Sequence, residues 1–159
     1  MVVAVLALQG AFLEHEQMLK KLGAEVFEIR QKKDLERTFD ALILPGGEST
    51  VMAKLMREDG LYEPLLAKIQ AGLPVYGTCA GLILLAREVE GGTPAFGTMN
   101  IRAPYIEKAY EDVEVLAMVD GKIVAARQGN QLVTAFHPEL DADLRVHQYF
   151  LEMAKKESR

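Results

Sequence analysis

One cysteine, Cys79, lies at a junction that could make it a nucleophile. It is the only cysteine in 159 residues, and its Gly-Thr-Cys-Ala-Gly stretch joins an apolar run at 75–78 to another that begins at Ala80. A sharp strand–turn–helix of this kind presents a nucleophile at the carboxyl end of a strand. The positive end of the following helix should favour the thiolate, which is the reactive form. A buried structural cysteine is the alternative, and the flanking glycines favour the nucleophile.

His137 and Glu139 have the types and the spacing of a base and its orienting acid. His137 directly follows the apolar run at 131–136, so it should lie at the end of a strand. An imidazole can take a thiol proton and give it to a departing amine, while a carboxylate fixes the tautomer and stabilises the imidazolium. The alternative is a polar turn with Glu139 solvated. His15 and His147 fall in predicted helices, where we expect both to be partly exposed.

A glycine-rich turn at 45–49 could supply an oxyanion hole. Its sequence, Pro-Gly-Gly-Glu-Ser, lies between a predicted strand and a predicted helix. Glycines leave backbone N–H groups unobstructed, and acyl transfer needs such donors where negative charge develops. The N–H groups of Gly47 and Ala80 are the expected pair. An ordinary turn with Ser49 as the helix cap is the alternative, and it is compatible with function.

The elements that position these residues alternate between strands and helices. Unbroken apolar runs are typical of strands buried on both faces, as in parallel sheets. Strand–helix alternation predicts an open parallel sheet with helices on both sides, from strands at 2–8, 26–29, 41–44 and 75–78 and helices at 12–22, 49–58, 61–71 and 80–89. Short turns then join strands at 113–119, 122–127 and 131–136, which predicts an antiparallel portion before a last helix capped by Asp141 or Asp143.

Composition restricts the class of protein. The length fits a single domain spanning 1–159, and 50% hydrophobic residues can form a core without disulfides or metals. A net charge of -5 argues against nucleic-acid binding, which needs a basic face. We find no signal peptide and no apolar run long enough to cross a membrane, so we expect a cytoplasmic protein.

The cysteine turn and the His137-Pro138-Glu139 triplet together resemble the class I (triad) glutamine amidotransferases. Further motifs are similar to those of one branch, the glutaminase subunits of pyridoxal 5'-phosphate synthase (the PdxT family). They are LQGA at 8–11, LPGGEST at 44–50, IRAP at 101–104, FHPEL at 136–140 and HQYF at 147–150. The resemblance extends over nearly the whole chain.

The resemblance implies a fold, a reaction and a partner. The fold is an α/β, flavodoxin-like three-layer sandwich with a mostly parallel central sheet and an antiparallel C-terminal portion. L-glutamine is hydrolysed to L-glutamate and ammonia through a γ-glutamyl thioester on Cys79, and the ammonia passes to a TIM-barrel synthase subunit that builds pyridoxal phosphate. Neither a metal nor an organic cofactor is implied. Residues assigned to glutamine are Gly47, Glu48, Ser49, Ile101 and Arg102, and those assigned to the partner are Gln9 and Gly10.

One departure from the family pattern lies between Asn100 and Ile101. Family members carry a longer segment there, with strands and an arginine that helps to bind glutamine. Either the segment is deleted or residues are missing from the sequence at this junction. We expect the second, because a deletion would remove part of the sheet and of the substrate site. Missing residues would separate the two Cα atoms by far more than the roughly 3.8 Å of a trans peptide. A continuous chain would put glutamine binding in doubt.

Two other functions remain open at this point. One is a glutaminase that serves another acceptor, such as an enzyme of histidine or cobalamin-type biosynthesis. The motifs at Gln9-Gly10 and at 101–104 favour the pyridoxal phosphate branch over it. The other is a non-catalytic regulatory module of the same fold. An intact set of Cys79, His137 and Glu139 argues against that alternative.

Overall fold

Ten strands form within the residues that the computed structural model describes, which are 1–141 and 143–157. They are β1 (Val2–Leu6), β2 (Glu25–Ile29), β3 (Ala41–Leu44), β4 (Val75–Thr78), β5 (Ala86–Val89), β6 (Met99–Ala103), β7 (Lys108–Ala109), β8 (Glu114–Val119), β9 (Lys122–Gln128) and β10 (Gln131–Thr134). Seven of these described strands pair in the order β2-β1-β3-β4-β10-β9-β8. The pairs from β2 to β10 are parallel, and the β10–β9 and β9–β8 pairs are antiparallel. The predicted mixed sheet is confirmed.

Five α-helices cover the two faces of this sheet within the described ranges. They are α1 (Phe12–Lys21), α2 (Ser49–Glu58), α3 (Tyr62–Gln70), α4 (Ala80–Leu85) and α5 (Arg145–Glu157). Short 3-10 turns add Lys32–Glu36 and Pro138–Leu140. No helix in the described part of the chain combines the length and the apolar character needed to span a membrane.

Alternate residues of the central strands enter two separate hydrophobic cores. On one face, Val3 and Val5 pack with Leu19 of α1 and with Phe150 of α5. On the other face, Leu42 and Leu44 pack with apolar residues of α2, α3 and α4. Because every residue of β3 is buried, the strand has no polar alternation, as the apolar run predicted. The result is the predicted three-layer sandwich.

The predicted helix at 80–89 is wrong in its second half. Helix α4 ends at Leu85, and Ala86–Val89 forms β5, which begins a second sheet of order β5-β6-β7. The two strands β6 and β7 of this small sheet had not been predicted. The apolar residues of 82–86 are compatible with either structure, because a short apolar run does not show the difference between a buried helix and a buried strand.

Strand β6 runs through Asn100 and Ile101 without a break. Two pairings with β5, Ala86 with Met99 and Glu88 with Arg102, leave one extra residue in β6, which is a β-bulge at this junction. The Asn100 N–H donates to the Gln128 side chain at 2.7 Å. The described chain is therefore continuous here, and our expectation that residues are missing from the sequence remains a prediction.

The N-cap of helix α2 is Glu48, one residue before the expected cap Ser49. Ser49 is its first helical residue, and the Glu48 side chain accepts hydrogen bonds from the backbone N–H and the hydroxyl of Thr50. At the last helix, Asp143 accepts from the backbone N–H of Arg145 at 3.0 Å, as one of the two predicted caps should. Carboxylates at these helix starts also compensate the helix dipole.

Gly81 allows α4 to lie directly on β3. A Cβ atom at this position would overlap the carbonyl oxygen of Leu44, which is backbone and cannot turn aside. We expect Gly81→Ala to lower the free energy of unfolding by about 1–3 kcal/mol, measured by urea denaturation. Gly92→Ala is the matched control, since its Cβ would meet only a Val89 methyl at 3.2 Å. Equal stability of the two variants would contradict this interpretation of the packing.

Candidate active site

The carboxyl ends of parallel strands bring the predicted site residues to one edge of the sheet. Strand β4 lies between β3 and β10. Cys79 follows β4, the glycine turn at 45–49 follows β3, and His137 lies three residues after β10. Crevices at the carboxyl edge of open α/β sheets are the usual location of ligands. The order of the strands therefore sets the nucleophile between its expected base and its expected oxyanion hole.

Cys79 occupies a sharp turn with an unusual backbone conformation. Its φ of 46° and ψ of -98° lie outside the regions that L-residues normally adopt. Such conformations cost on the order of 1–3 kcal/mol and cluster at functional sites. The turn is tied down by the Cys79 N–H, which donates to the Thr134 carbonyl at 3.1 Å. A Cβ at Gly77 would lie 2.6 Å from the Gly81 backbone, so the turn needs its glycines.

The Cys79 thiol is half-buried and faces a backbone carbonyl. It donates to the Ala135 oxygen at 3.5 Å, which is its hydrogen-bond partner among the described residues. Burial raises the pKa of the Cys79 thiol, and the nearby Glu139 carboxylate raises it further. Desolvation of the thiol therefore opposes the expected effect of the helix end on the thiolate. Activation requires a base to remove the proton.

His137 and Glu139 form the predicted base and acid pair. The His137 Nδ1 lies 2.7 Å from Glu139 Oε1, and the Glu139 side chain is fully buried. Burial raises the pKa of Glu139, while the hydrogen bond with His137 opposes that rise. If Nδ1 donates to the carboxylate, Nε2 is left as the acceptor for a proton. The imidazole is the half-buried member of the pair, so it is the one that solvent and a ligand can reach.

The glycine turn contacts both the base and the N-terminal loop. A Cβ at Gly46 would lie 2.5 Å from the His137 Cε1, so the ring packs directly against this glycine. The Gly46 carbonyl accepts from the Ala11 N–H at 3.0 Å. The Gln9 Oε1 accepts from the Glu48 N–H at 2.7 Å. Gln9, which the resemblance assigns to the partner together with Gly10, is thus bonded directly to the expected oxyanion loop.

The expected oxyanion donors lie on two sides of the nucleophile. Gly47 is exposed at the crevice edge, in the turn after β3. Ala80 is the first residue of α4, where a backbone N–H has no acceptor within its own helix. Gly10 must approach Gly46 closely, because a Cβ there would overlap the Gly46 carbonyl oxygen, and its φ is +96°. The loop is therefore held from the N-terminal side, and a Cβ at Gly47 would overlap the side-chain oxygen of Gln9.

The structure does not bring all the residues that the resemblance assigns to glutamine to one place. Ser49 begins α2 and lines a cavity of about 380 Å³ together with Thr50 and residues 92–95. Ile101 is fully buried in the core. The Arg102 Nε lies 3.5 Å from a Glu107 carboxylate oxygen. Both of these residues belong to the small sheet, so their assignment to glutamine remains a prediction.

His15 and His147 were expected to be partly exposed, and that prediction is wrong. Both are fully buried, and the His15 Nδ1 lies 2.8 Å from the His147 Nε2. Their burial could have been predicted from the helical period of the apolar residues. His15 lies four residues before the buried Leu19, and His147 lies three before the buried Phe150, which places both on core-facing sides.

Metal binding has no obvious site in the described part of the chain. No group of three or more His, Cys, Asp or Glu side chains is arranged there to hold an ion.

Comparison with known families supports the same assignment over most of the chain. The profile of the SNO glutamine amidotransferase family matches residues 5–101 and 91–156. A protein of Methanocorpusculum labreanum named pyridoxal 5'-phosphate synthase subunit PdxT is 52% identical, with 95% of this chain and 96% of that protein covered. A protein of the same name from Carboxydothermus hydrogenoformans is 46% identical, with 98% and 99% covered.

Solved structures agree with the fold. A crystal structure of a glutamine amidotransferase, 39% identical, superimposes with a TM-score of 0.91 and covers 98% of this chain and 100% of its own. The PurLQS structure from Thermotoga maritima, at 14% identity and a TM-score of 0.66, covers 95% of this chain and 97% of its own and shares the fold alone.

The alignments also bear on the junction at Asn100. The alignment with the M. labreanum protein runs over 182 positions, more than the 159 residues of this chain. That relative therefore carries residues with no counterpart here. The two pieces matched by the family profile overlap at 91–101, the region that contains the β6 bulge.

The alkylation rate of Cys79 should report its raised pKa. Because the chain has one cysteine, iodoacetamide modification followed by mass spectrometry measures this thiol alone. We expect slow alkylation at pH 7 and a rate that keeps rising with pH beyond about 8.5, the ordinary thiol value. A rate that levels off near neutral pH would mean that the thiolate is already favoured in the free chain.

Gly46→Ala should displace the His137 ring. The new methyl group would collide with an imidazole that Glu139 holds from the other side. We expect a loss of roughly 100-fold in the kcat for glutamine hydrolysis, since misplacement by about 1 Å can cost that much. Gly92→Ala should leave kcat unchanged. Normal turnover by Gly46→Ala would show that the ring has room to move.

Proposed function

The chain belongs to the SNO glutamine amidotransferase family, and on that premise we propose that it is the glutaminase subunit of a pyridoxal 5'-phosphate synthase. It hydrolyses L-glutamine to L-glutamate and ammonia, and the ammonia serves vitamin B6 synthesis. The observation that carries the proposal is the hydrogen-bonded pair of His137 and Glu139 beside the Cys79 turn. Full-length similarity to named PdxT subunits supports the choice of pathway.

Attack on glutamine begins with proton transfer from Cys79 to His137. The Nε2 of His137 takes the thiol proton, and Glu139 stabilises the imidazolium that forms. The sulfur then bonds to the side-chain amide carbon of glutamine. Negative charge develops on the amide oxygen, and the N–H groups of Gly47 and Ala80 are the proposed donors to it. A raised thiol pKa makes the base indispensable in this step.

Release of ammonia and of glutamate completes the reaction. The imidazolium of His137 gives its proton to the amide nitrogen as the carbon–nitrogen bond breaks, which leaves ammonia and a γ-glutamyl thioester on Cys79. Water then attacks the thioester carbon and gives one proton to His137. When the carbon–sulfur bond breaks, glutamate leaves and the proton returns to the sulfur.

Glutamine recognition is proposed for the turn after β3 and for the small sheet. Glu48 and Ser49 lie at the start of α2, next to the crevice. The Arg102 guanidinium could bind the α-carboxylate only after it leaves Glu107. If the chain is truly shorter at Asn100, it lacks groups that longer relatives contain, and we then expect weaker glutamine binding than in those relatives.

A synthase subunit of TIM-barrel type is the proposed partner, and we propose that it controls the oxyanion loop. Gln9 bonds to the Glu48 N–H, and Ala11 bonds to the Gly46 carbonyl. Contact of the partner with Gln9 and Gly10 would therefore act directly on the peptides of 46–48. Leu13 and Leu140, which are exposed near the same edge, offer apolar contact area. The isolated subunit should be a weak glutaminase, because unassisted hydrolysis would waste glutamine.

A second candidate is a regulatory module of the same fold that binds the synthase without hydrolysing glutamine. The observation that favours it is the alignment over 182 positions with a relative, which has residues that this chain of 159 residues lacks. The intact arrangement of Cys79, His137 and Glu139 favours the enzyme. We also retain the possibility of a glutaminase that serves another acceptor enzyme, which the same assay distinguishes.

Glutaminase activity should appear when the synthase subunit is added. We expect glutamate formation, followed with a coupled glutamate dehydrogenase assay, to rise at least about 10-fold over the isolated chain, since loop closure completes such sites. Activity that ignores this subunit but responds to another acceptor enzyme would reassign the pathway. Inactivity with every partner would support the regulatory module.

Cys79→Ala is the matched control for that assay. It should abolish hydrolysis and leave complex formation with the synthase subunit intact by gel filtration, because only the sulfur is removed. Loss of both properties would mean that Cys79 is structural.

A further inference from the structure

A buried histidine pair, His15 and His147, lies directly behind the acid of the catalytic pair. The His15 Nδ1 and the His147 Nε2 are 2.8 Å apart. The His15 Nε2 faces Thr78 Oγ1 at 3.2 Å and Glu139 Oε2 at 3.7 Å. Thr78 immediately precedes the nucleophile. Helices α1 and α5 thus each contribute one histidine to the space beneath the site.

Glu139 has one oxygen that is still in need of a donor. Its Oε1 is paired with His137, while its Oε2 is buried and lacks a hydrogen bond in the described structure. A buried carboxylate oxygen without a donor costs free energy. His15 Nε2 is the side-chain nitrogen that faces this oxygen, and a small shift of the carboxylate would bring the two atoms into hydrogen-bond range.

The need of Glu139 Oε2 for a hydrogen-bond donor decides between the tautomers of the two histidines. One arrangement places hydrogens on both Nε2 atoms. His147 then donates to His15, and the His15 Nε2–H is shared between Thr78 Oγ1 and the more distant Glu139 Oε2. This leaves His147 Nδ1 as a bare acceptor. That atom is indeed buried without a partner. The opposite arrangement leaves His147 Nδ1 as a buried, unsatisfied N–H and turns a lone pair of His15 towards the carboxylate. The first arrangement avoids both of these costs.

We propose that His15 is a positioning residue for glutamine hydrolysis, whose Nε2–H holds Glu139 against His137 and whose tautomer is set by His147. This role rests on the proposed glutaminase function. Substrate does not touch His15, which acts through Glu139 on the orientation of the base. The site would then contain four side chains linked in space, in the order His147, His15, Glu139 and His137.

Neutrality of the histidine pair suits this role. Burial lowers the pKa of His15, and the proximity of His147 and then of His137 lowers it further. Burial also lowers the pKa of His147 to about 4. A neutral donor can orient Glu139 without cancelling the negative charge that the imidazolium of His137 requires. A charged His15 would instead compete with His137 for the same carboxylate.

The test compares His15→Phe with His15→Gln in the complex with the synthase subunit. Phenylalanine fills the space without an N–H, and the glutamine amide can place an N–H near the position of Nε2. We expect His15→Phe to lower kcat roughly 10- to 100-fold with KM unchanged, and His15→Gln to restore most of the loss. Equal kcat in all three proteins would overturn the proposal, as would equal losses in both variants.

Leu19→Ala controls for a general loss of packing. Leu19 is fully buried on α1, one turn after His15, and belongs to the same core face. It should reduce stability in urea and leave kcat of the folded complex unchanged. A matching fall in kcat for Leu19→Ala would show that any weakening of this helix has the same effect, and would overturn a specific role for His15.

Nitrogen-15 NMR of the three histidine side chains keeps the proposal testable if hydrolysis is absent. Two-bond proton–nitrogen spectra report tautomers directly and need no substrate. We expect neutral Nε2–H forms for His15 and His147 at pH 7, and a shifted His137 Nδ1–H resonance in His15→Phe but not in His15→Gln. An Nδ1–H or doubly protonated His15 would overturn the proposal. Correct tautomers with an inactive wild-type complex would instead contradict the proposed function alone.

Discussion

Parallel pairing of β4 with β3 on one side and β10 on the other is the constraint on which the site depends. Three chain segments far apart in sequence end at the same edge, and each ends in a different chemical group. The register is fixed by strands buried on both faces, because a slip by one residue would exchange the residues of the two cores. The thiol, the imidazole and the glycine turn are therefore brought to one edge of the sheet, and among the described residues no hydrogen bond joins the thiol to the imidazole.

Burial has opposite effects on the members of the site. It keeps Cys79 protonated and raises the pKa of Glu139, which would weaken both groups if they acted alone. The hydrogen bond with His137 lowers the pKa of Glu139 and so offsets part of the effect of burial. The ion pair that forms when His137 takes the thiol proton offsets more of it. The resting chain is thus arranged for a charged state that it reaches only when the proton moves. This explains why the acid lies deep and the base lies near the surface.

Much of this arrangement could be predicted from the sequence, because the relevant signals are local. Apolar runs identified β1, β3 and β4, and the glycines around Cys79 identified the turn. The small sheet could not be predicted in the same way, since Ala86–Val89 pairs with a strand that begins ten residues after it ends. Desolvation of the Cys79 thiol could not be predicted either, because a helix end is visible in sequence and burial of one side chain is not. His15 and His147 were misplaced because residue type was weighted above helical period.

The bulge in β6 has a consequence for changes in chain length. Before the bulge, Met99 of β6 pairs with β5. After it, β6 pairs with β7 from Ile101 and with β5 again from Arg102. Each half is held by its own partners, so the chain length between them is free to vary without unpairing either flank. A difference in chain length at this point would leave the catalytic edge in place, because β3, β4 and β10 belong to the other sheet.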